Sequence, residues 1–325
     1  MSEPSDPEHE SPVGPNPEDY AFDLDTALDS VVSLRSQIPE DALTASVLGT
    51  ERAGHGVVIA DDGLIVTIGY LITEAETLWV TTGKGVTVPG HVVGYDQTTG
   101  FGLVQALQPM GSPSMELGDS EAVQVSDEVI AAGHGGRDHA IKTNVIAKRE
   151  FAGYWEYVLD EALFTAPAHP NWGGAALIGT DGKLLGIGSL LVQQISEAGQ
   201  QSGANMMIPI DLLKPILDDL RMYGKRNAPV RPWLGFLVQE VSHHLVISGL
   251  YDDCPAESAG LQVGDVIREV GGEPVSGLAN LFRRIWRTGE AGVDVPMTIM
   301  RNRESIAVTV HSTDRDDCLK SASIH

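Results

Sequence analysis

Residues 168 to 179 read AHPNWGGAALIG, an asparagine and a glycine pair set before an apolar run. Glycines that allow close backbone approach ahead of a strand make the kind of turn that presents a nucleophile. Here the residue presented is Trp172, flanked by Asn171, Gly173 and Gly174. An indole nitrogen only donates a hydrogen bond, so the turn has the shape for covalent chemistry without the atom for it. Ser189, in GIGSLL on the strand after the turn, and His169, three residues before Trp172, are the candidates for a relocated nucleophile and base. Such a pair would still need a group to orient the imidazole. His55, His134 and His139 lack metal-ligand spacing and read as turn or surface histidines. Cys254 and Cys318 are too few and too far apart for a disulfide framework or a CxxC metal site. No metal and no cofactor is expected.

The elements that must hold these residues are short strands. From Ala45 to Ile210, runs rich in Val, Ile, Leu, Thr and aromatics are separated by turn chemistry such as Asp61-Asp62-Gly63 and Asp181-Gly182-Lys183. Roughly ten to twelve strands with almost no helix make this region mainly β, a barrel or a sandwich, and pattern alone does not choose between them. One helix is expected over 25–35, on the apolar stripe Leu24, Leu28, Val31, Val32 and Leu34. Another is expected from Asp211 as N-cap through Met222, with Gly224 as its stop. The basic, proline-bearing KRNAPVRP then supplies a linker (225–230), and a second unit runs over 231–313 before a polar tail, 314–325.

The composition narrows the partners. With 45 acidic and 21 basic residues among 325, the formal net charge is −24, which repels nucleic-acid phosphates and anionic lipid surfaces. The start, MSEPSDPEHESPVGPNPEDY, has hardly any apolar side chain and is expected to be a disordered acidic tail over 1–20. That tail reads most simply as a solubilising segment, with contact to a basic partner as the alternative. It has neither the basic nor the apolar part of a secretory signal, and no apolar run approaches membrane-spanning length, so a cytoplasmic protein is expected.

The second unit carries PWLGF (232–236), AESAGLQVGDVIREVGGEPV (256–275), a helical LANLFRRIWR (278–287) and two closing strands, VPMTIM and IAVTV. It resembles an α+β PDZ domain of the kind attached to HtrA/DegP-family serine proteases. By that resemblance, the backbone N–H groups of Leu234, Gly235 and Phe236 converge on a peptide carboxylate, and the strand that follows offers its edge to a partner's C-terminal tail. Leu281 and Ile285, one helical turn apart, are the expected apolar wall for a terminal side chain.

The first unit, 21–224, is similar to the trypsin-like double β-barrel of the same family. Its landmarks are GHGVVIADDGLIVTIGYLI (54–72), DQTTGFGLVQAL (96–107), PNWGGAAL (170–177) and NMMIPID (205–211). Hydrolysis in that family uses a serine nucleophile, a histidine base and an aspartate that fixes the imidazole. Matched position by position, the histidine place holds Tyr70, the aspartate place Gly100 and the serine place Trp172. The backbone donor two residues before the nucleophile falls on Pro170, which has no N–H; losing one such donor costs about 2.7–4 kcal/mol of transition-state stabilisation.

The resemblance therefore implies a catalytically silent barrel joined to one PDZ domain, a peptide- or protein-binding adaptor, with homotrimers as the family's assembly. The competing readings are a working serine endopeptidase with a non-standard site and an inactive subunit that modulates an active relative. Trp172 itself has two readings: an indole that fills a vacated cleft, or an aromatic floor formed with Tyr70 and Trp155 that holds a peptide without cutting it.

Overall fold

The computed structural model describes residues 14–195 and 201–320. Its first six strands are β1 (Val31–Gln37), β2 (Glu51–Val58), β3 (Leu64–Ile68), β4 (Thr77–Thr81), β5 (Thr87–Tyr95) and β6 (Phe101–Ala106). They close in the order β1-β2-β3-β6-β5-β4. The next six are β7 (Glu128–Ala132), β8 (Ala140–Gly153), β9 (Tyr157–Ala166), β10 (Ala176–Ile178), β11 (Leu184–Ile195) and β12 (Gln201–Pro209). They repeat the same topology as β7-β8-β9-β12-β11-β10. Closure leaves no free sheet edge, and it decides for two barrels over a sandwich. β3 shows why the sequence commits to a strand: LIVTI is buried at every position, and its one polar side chain, Thr67, donates to the His55 carbonyl at 2.6 Å.

The third unit consists of β13 (Phe236–Val241), β14 (His244–Leu250), β15 (Val266–Val270), β16 (Glu273–Pro274), β17 (Asp294–Arg301) and β18 (Glu304–His311). The sheet order is β13-β14-β15-β17-β18, with β16 beside β15, so β13 is an edge strand. Its core gathers Leu234, Phe236, Val238, Ile247, Leu281 and Phe282. Among the described residues there are five short α-helices: α1 (Leu24–Asp29), α2 (Ala45–Leu48), α3 (Leu217–Tyr223), α4 (Pro255–Ser258) and α5 (Leu278–Trp286).

Both expected helices near the barrels are shorter than the apolar stripes implied. α1 is capped by Asp23, which accepts from the Thr26 N–H at 3.1 Å, and it stops at Asp29. Val31, Val32 and Leu34 belong instead to β1, where β-branched side chains are at ease and two neighbours, β2 and β4, offer ladders. Before α3 the chain makes 3-10 turns at Ile210–Leu212 and Lys214–Ile216, because Pro215 has no N–H with which to continue an α-helix from Asp211. The Asp211 carboxylate accepts from the Ser120 N–H at 2.5 Å, the Ser120 hydroxyl at 2.6 Å and the Glu121 N–H at 3.1 Å, so it ties a loop rather than capping a helix. Gly224 does end α3, in the left-handed region at φ 73°.

At the N-terminus, the expected disordered stretch is partly built. Pro17–Asp19 forms a 3-10 turn capped by Asn16, and Asp19 pairs with Lys142 at 2.5 Å. Residues 1–13 and 321–325 lie outside the described residues. After β18 the chain returns to the first barrel, where the Lys320 N–H donates to Glu74 at 2.9 Å. This return also brings Cys318 beside Cys254, so two free thiols far apart in sequence are spatial neighbours. No helix among the described residues is long and apolar enough to cross a membrane.

Candidate functional site

Tyr70, Gly100 and Trp172 come together on one cavity of about 310 Å³ where the two barrels and the third unit meet. Tyr70 sits in the 3-10 turn after β3 and donates from its hydroxyl to the Ser189 carbonyl at 2.9 Å. Burial pushes its phenol well above the ordinary value, against a hydrogen bond from Trp172. The proton stays on the oxygen and is engaged in the hydrogen bond to Ser189, so this group is no base at neutral pH.

Gly100 closes the β5–β6 turn, and its carbonyl accepts from the Gly69 N–H at 2.7 Å. A side chain there would find the space taken, because a Cβ would lie 3.2 Å from both the Tyr157 hydroxyl and Ile208 Cδ1. Tyr157 in turn donates to the Thr99 carbonyl at 2.6 Å. The nearest acid in this turn, Asp96, faces away, accepting from the Thr99 N–H at 2.8 Å and pairing with Arg226 at 2.9 Å. Trp172 is half-buried, and its carbonyl accepts from the Ala175 N–H at 3.0 Å, so the glycine turn keeps its form around the indole. Trp155 lines the same cavity.

Ser189 and His169 do not form a pair. Ser189 lines the cavity, but His169 is buried behind it with both ring nitrogens committed. Its Nε2 lies 3.0 Å from the His139 carbonyl and therefore donates, which leaves Nδ1 to accept from the Asn171 N–H at 3.1 Å. Among the described residues no serine hydroxyl hydrogen-bonds a histidine ring.

His55, on β2, meets the second barrel through its Nδ1, which accepts from the His134 N–H at 3.1 Å. Burial, with His169, His134 and His139 adding to it, pushes the His55 ring down from 6.5 to about 4. The folded state thus resists a proton that the unfolded chain takes up. The contribution to stability is complete above pH 6.5 and is lost as pH falls towards 4. The urea midpoint should fall across that interval, and fall less in His55→Gln; an identical pH profile for the two proteins would contradict this assignment.

In the third unit, the N–H groups of Leu234, Gly235 and Phe236 do converge on a carboxylate, and it belongs to Glu156 of the second barrel. Glu156 Oε1 accepts from them at 3.2, 2.9 and 3.4 Å, and Oε2 from Leu234 at 3.3 Å. The edge of β13 is engaged as well, since the Val238 N–H donates to the Tyr154 carbonyl at 2.9 Å. Leu281 and Ile285 are fully buried, and Val158 of β9 belongs to the same apolar cluster, with Ala152 packed against it. Arg283 on α5 pairs with Glu150 and Asp160, both at 2.5 Å, on either arm of the β8–β9 hairpin.

Glu156 is the residue that the sequence reading missed. Burial pushes its carboxyl up to about 7, outweighing the three N–H groups and the Arg315 guanidinium, which pull it down. The available signal was the turn Tyr154-Trp155-Glu156. A three-residue hairpin loop of this kind usually places glycine in the left-handed position, and here Glu156 occupies it at φ 59°.

Comparison with known proteins agrees with this architecture. Residues 54–187 match the trypsin-like peptidase domain family and residues 232–311 the PDZ domain family. A probable periplasmic serine endoprotease, DegP-like, from Halomonas elongata is 30% identical over 282 residues, covering 83% of this chain and 58% of the relative. Its counterpart in Pseudomonas putida is 28% identical, covering 82% and 57%. The chain thus spans a little over half the length of these relatives. Among solved structures, the HtrA-type protease AlgW with decapeptide superposes with a TM-score of 0.52 at 20% identity, covering 89% of this chain and 97% of that one. A serine endoprotease from Yersinia pestis gives 0.51 at 22%, covering 90% and 98%. These likenesses bear on the fold. The chain carries a trypsin-like peptidase domain followed by a PDZ domain, and over most of its length it is similar to DegP-like serine endoproteases.

Proposed function

We propose that this homologue is proteolytically silent and acts by binding the C-termini of proteins or peptides in its PDZ domain. The observation that carries the first half is the cavity itself. The residues at the expected histidine, aspartate and serine places are a half-buried tyrosine, a glycine and an indole, and Pro170 withdraws an oxyanion donor. The second half is supported by a loop whose three N–H groups already hold a carboxylate, and by a relative of the same fold whose structure was determined with a decapeptide. Tyr70, Trp155 and Trp172 would form the floor of a cleft that holds without cutting.

Two free thiols fit a reducing, cytoplasmic setting for this activity, although the relatives are named as periplasmic. A homotrimer, the family's assembly, belongs to the same reading and is measurable by sedimentation.

Trp172→Ser should leave casein uncut, because Tyr70, Gly100 and Pro170 remain. Proteolysis by that single variant would mean that the site has been matched wrongly. The binding reading is tested on an array of ten-residue peptides, each offered with a free C-terminal carboxylate and as its C-terminal amide. Preference for the free acid is expected, and equal capture of the two forms would sink it.

A further inference from the structure

We infer that the tip of the β8–β9 hairpin is the PDZ domain's own ligand, with the Glu156 side chain standing in for a peptide's C-terminal carboxylate, so that an outside peptide binds only by displacing it. This rests on the reading of the PDZ unit as a binder of C-termini, and it adds how that site is regulated.

Three features of a bound tail are reproduced from within the chain. A carboxylate takes the N–H groups of Leu234, Gly235 and Phe236. A backbone carbonyl, that of Tyr154, takes the next edge donor, Val238. An apolar side chain, Val158, joins the cluster that contains Leu281 and Ile285. The arms are held to α5 through Arg283. The two hairpin hydrogen-bond contacts fall on consecutive parts of the groove, the loop and then the strand edge, the order in which β-augmentation proceeds.

The backbone supports a selected contact. Glu156 adopts φ 59°, a left-handed conformation that disfavours a side chain. Glycine would remove that strain, yet the residue present is one whose carboxylate reaches the loop. Strain of this kind persists where the surrounding structure holds it in place. The contact is intramolecular, so an incoming tail competes with a ligand at high effective concentration.

If the groove is open for less than about one-tenth of the time, the apparent affinity for an outside peptide is reduced at least about tenfold. Glu156→Gly is the informative variant, because it deletes the carboxylate and suits the turn; Glu156→Gln keeps the shape and removes the charge. Two readouts on the full chain separate the possibilities. Hydrogen exchange at the Leu234, Gly235 and Phe236 amides should be slow in the wild type and at least about tenfold faster in Glu156→Gly. In titration with ten-residue peptides ending in Val or Phe, both variants should bind the free acid at least about tenfold tighter than the wild type. Unchanged exchange at the three amides, or equal peptide affinity in all three proteins, would overturn the internal ligand. Faster exchange without peptide binding by any of them would uphold the internal ligand and defeat the binding reading on which the proposal builds.

Discussion

Gly174→Ala should destabilise the protein by about 4 kcal/mol or more, a loss at the extreme of single substitutions. Gly174 has φ +77°, a region costly for a side chain, and a Cβ there would sit 1.8 Å from the His55 carbonyl oxygen on β2. That oxygen is fixed, because it also accepts from Thr67 at 2.6 Å. The turn cannot back away either. The His55 N–H donates to the Gly173 carbonyl and the Gly174 N–H to the Gly188 carbonyl, both at 2.8 Å, wedging it between the first barrel and β11. The glycine pair that resembles a nucleophile cradle is therefore the seam between two barrels. Urea denaturation measures the effect, and a loss below about 1 kcal/mol would show that the seam yields more easily than its geometry allows.

Arg52→Ala should cost about 3–5 kcal/mol, by removing one charge from a buried, hydrogen-bonded set. The guanidinium donates to the carbonyls of Gly49, Tyr70 and Thr73 at 3.2, 2.7 and 3.1 Å and to the Thr44 hydroxyl at 2.7 Å. The Thr44 hydroxyl in turn donates a hydrogen bond to Glu74 at 2.6 Å, and the Glu74 carboxylate also accepts from the N–H groups of Leu43, Thr44 and Lys320. One cation thus serves the turn that presents Tyr70 and, through Glu74, the returning C-terminal segment. Arg52→Lys should recover only a minor part of the loss, since an ammonium cannot reproduce the planar fork that spans these acceptors. Full recovery by lysine would show that the charge matters here and the geometry does not.

Much of this arrangement was legible in the sequence because it depends on local pattern. The apolar runs with turn residues between them became the strands. The glycine turn at 173–174 and the x-L-G-F loop were found where their motifs stood. What was misread lay where two periods overlap or where a distant partner decides. Leu24 to Leu34 offers one apolar stripe to a helix and a strand in succession, and pairing with β2 and β4 gave its second half to the sheet. Asp211 has the residue type of a cap, but Ser120, far away in the chain, claims its carboxylate. Barrel closure depends on which strand ends meet, and alternation along a strand carries no such information.

Glu156 shows the same limit at the site itself. Nothing in Tyr154-Trp155-Glu156 names the loop at 234–236 as its partner; only the tertiary fold brings a glutamate of one unit to the carboxylate loop of another. Residue type was a poor guide for Ser189 and His169 too. Both are present near the cleft, and backbone groups, not each other, take up the histidine nitrogens.

The most direct test of a silent cleft is to incubate the purified full chain with unfolded casein and with a serine-directed fluorophosphonate probe, beside an active HtrA-type enzyme. The account predicts intact casein and no label on this chain while the control cuts and labels. Cleaved casein together with covalent label that disappears in Ser189→Ala would contradict it and put a working nucleophile in the cavity.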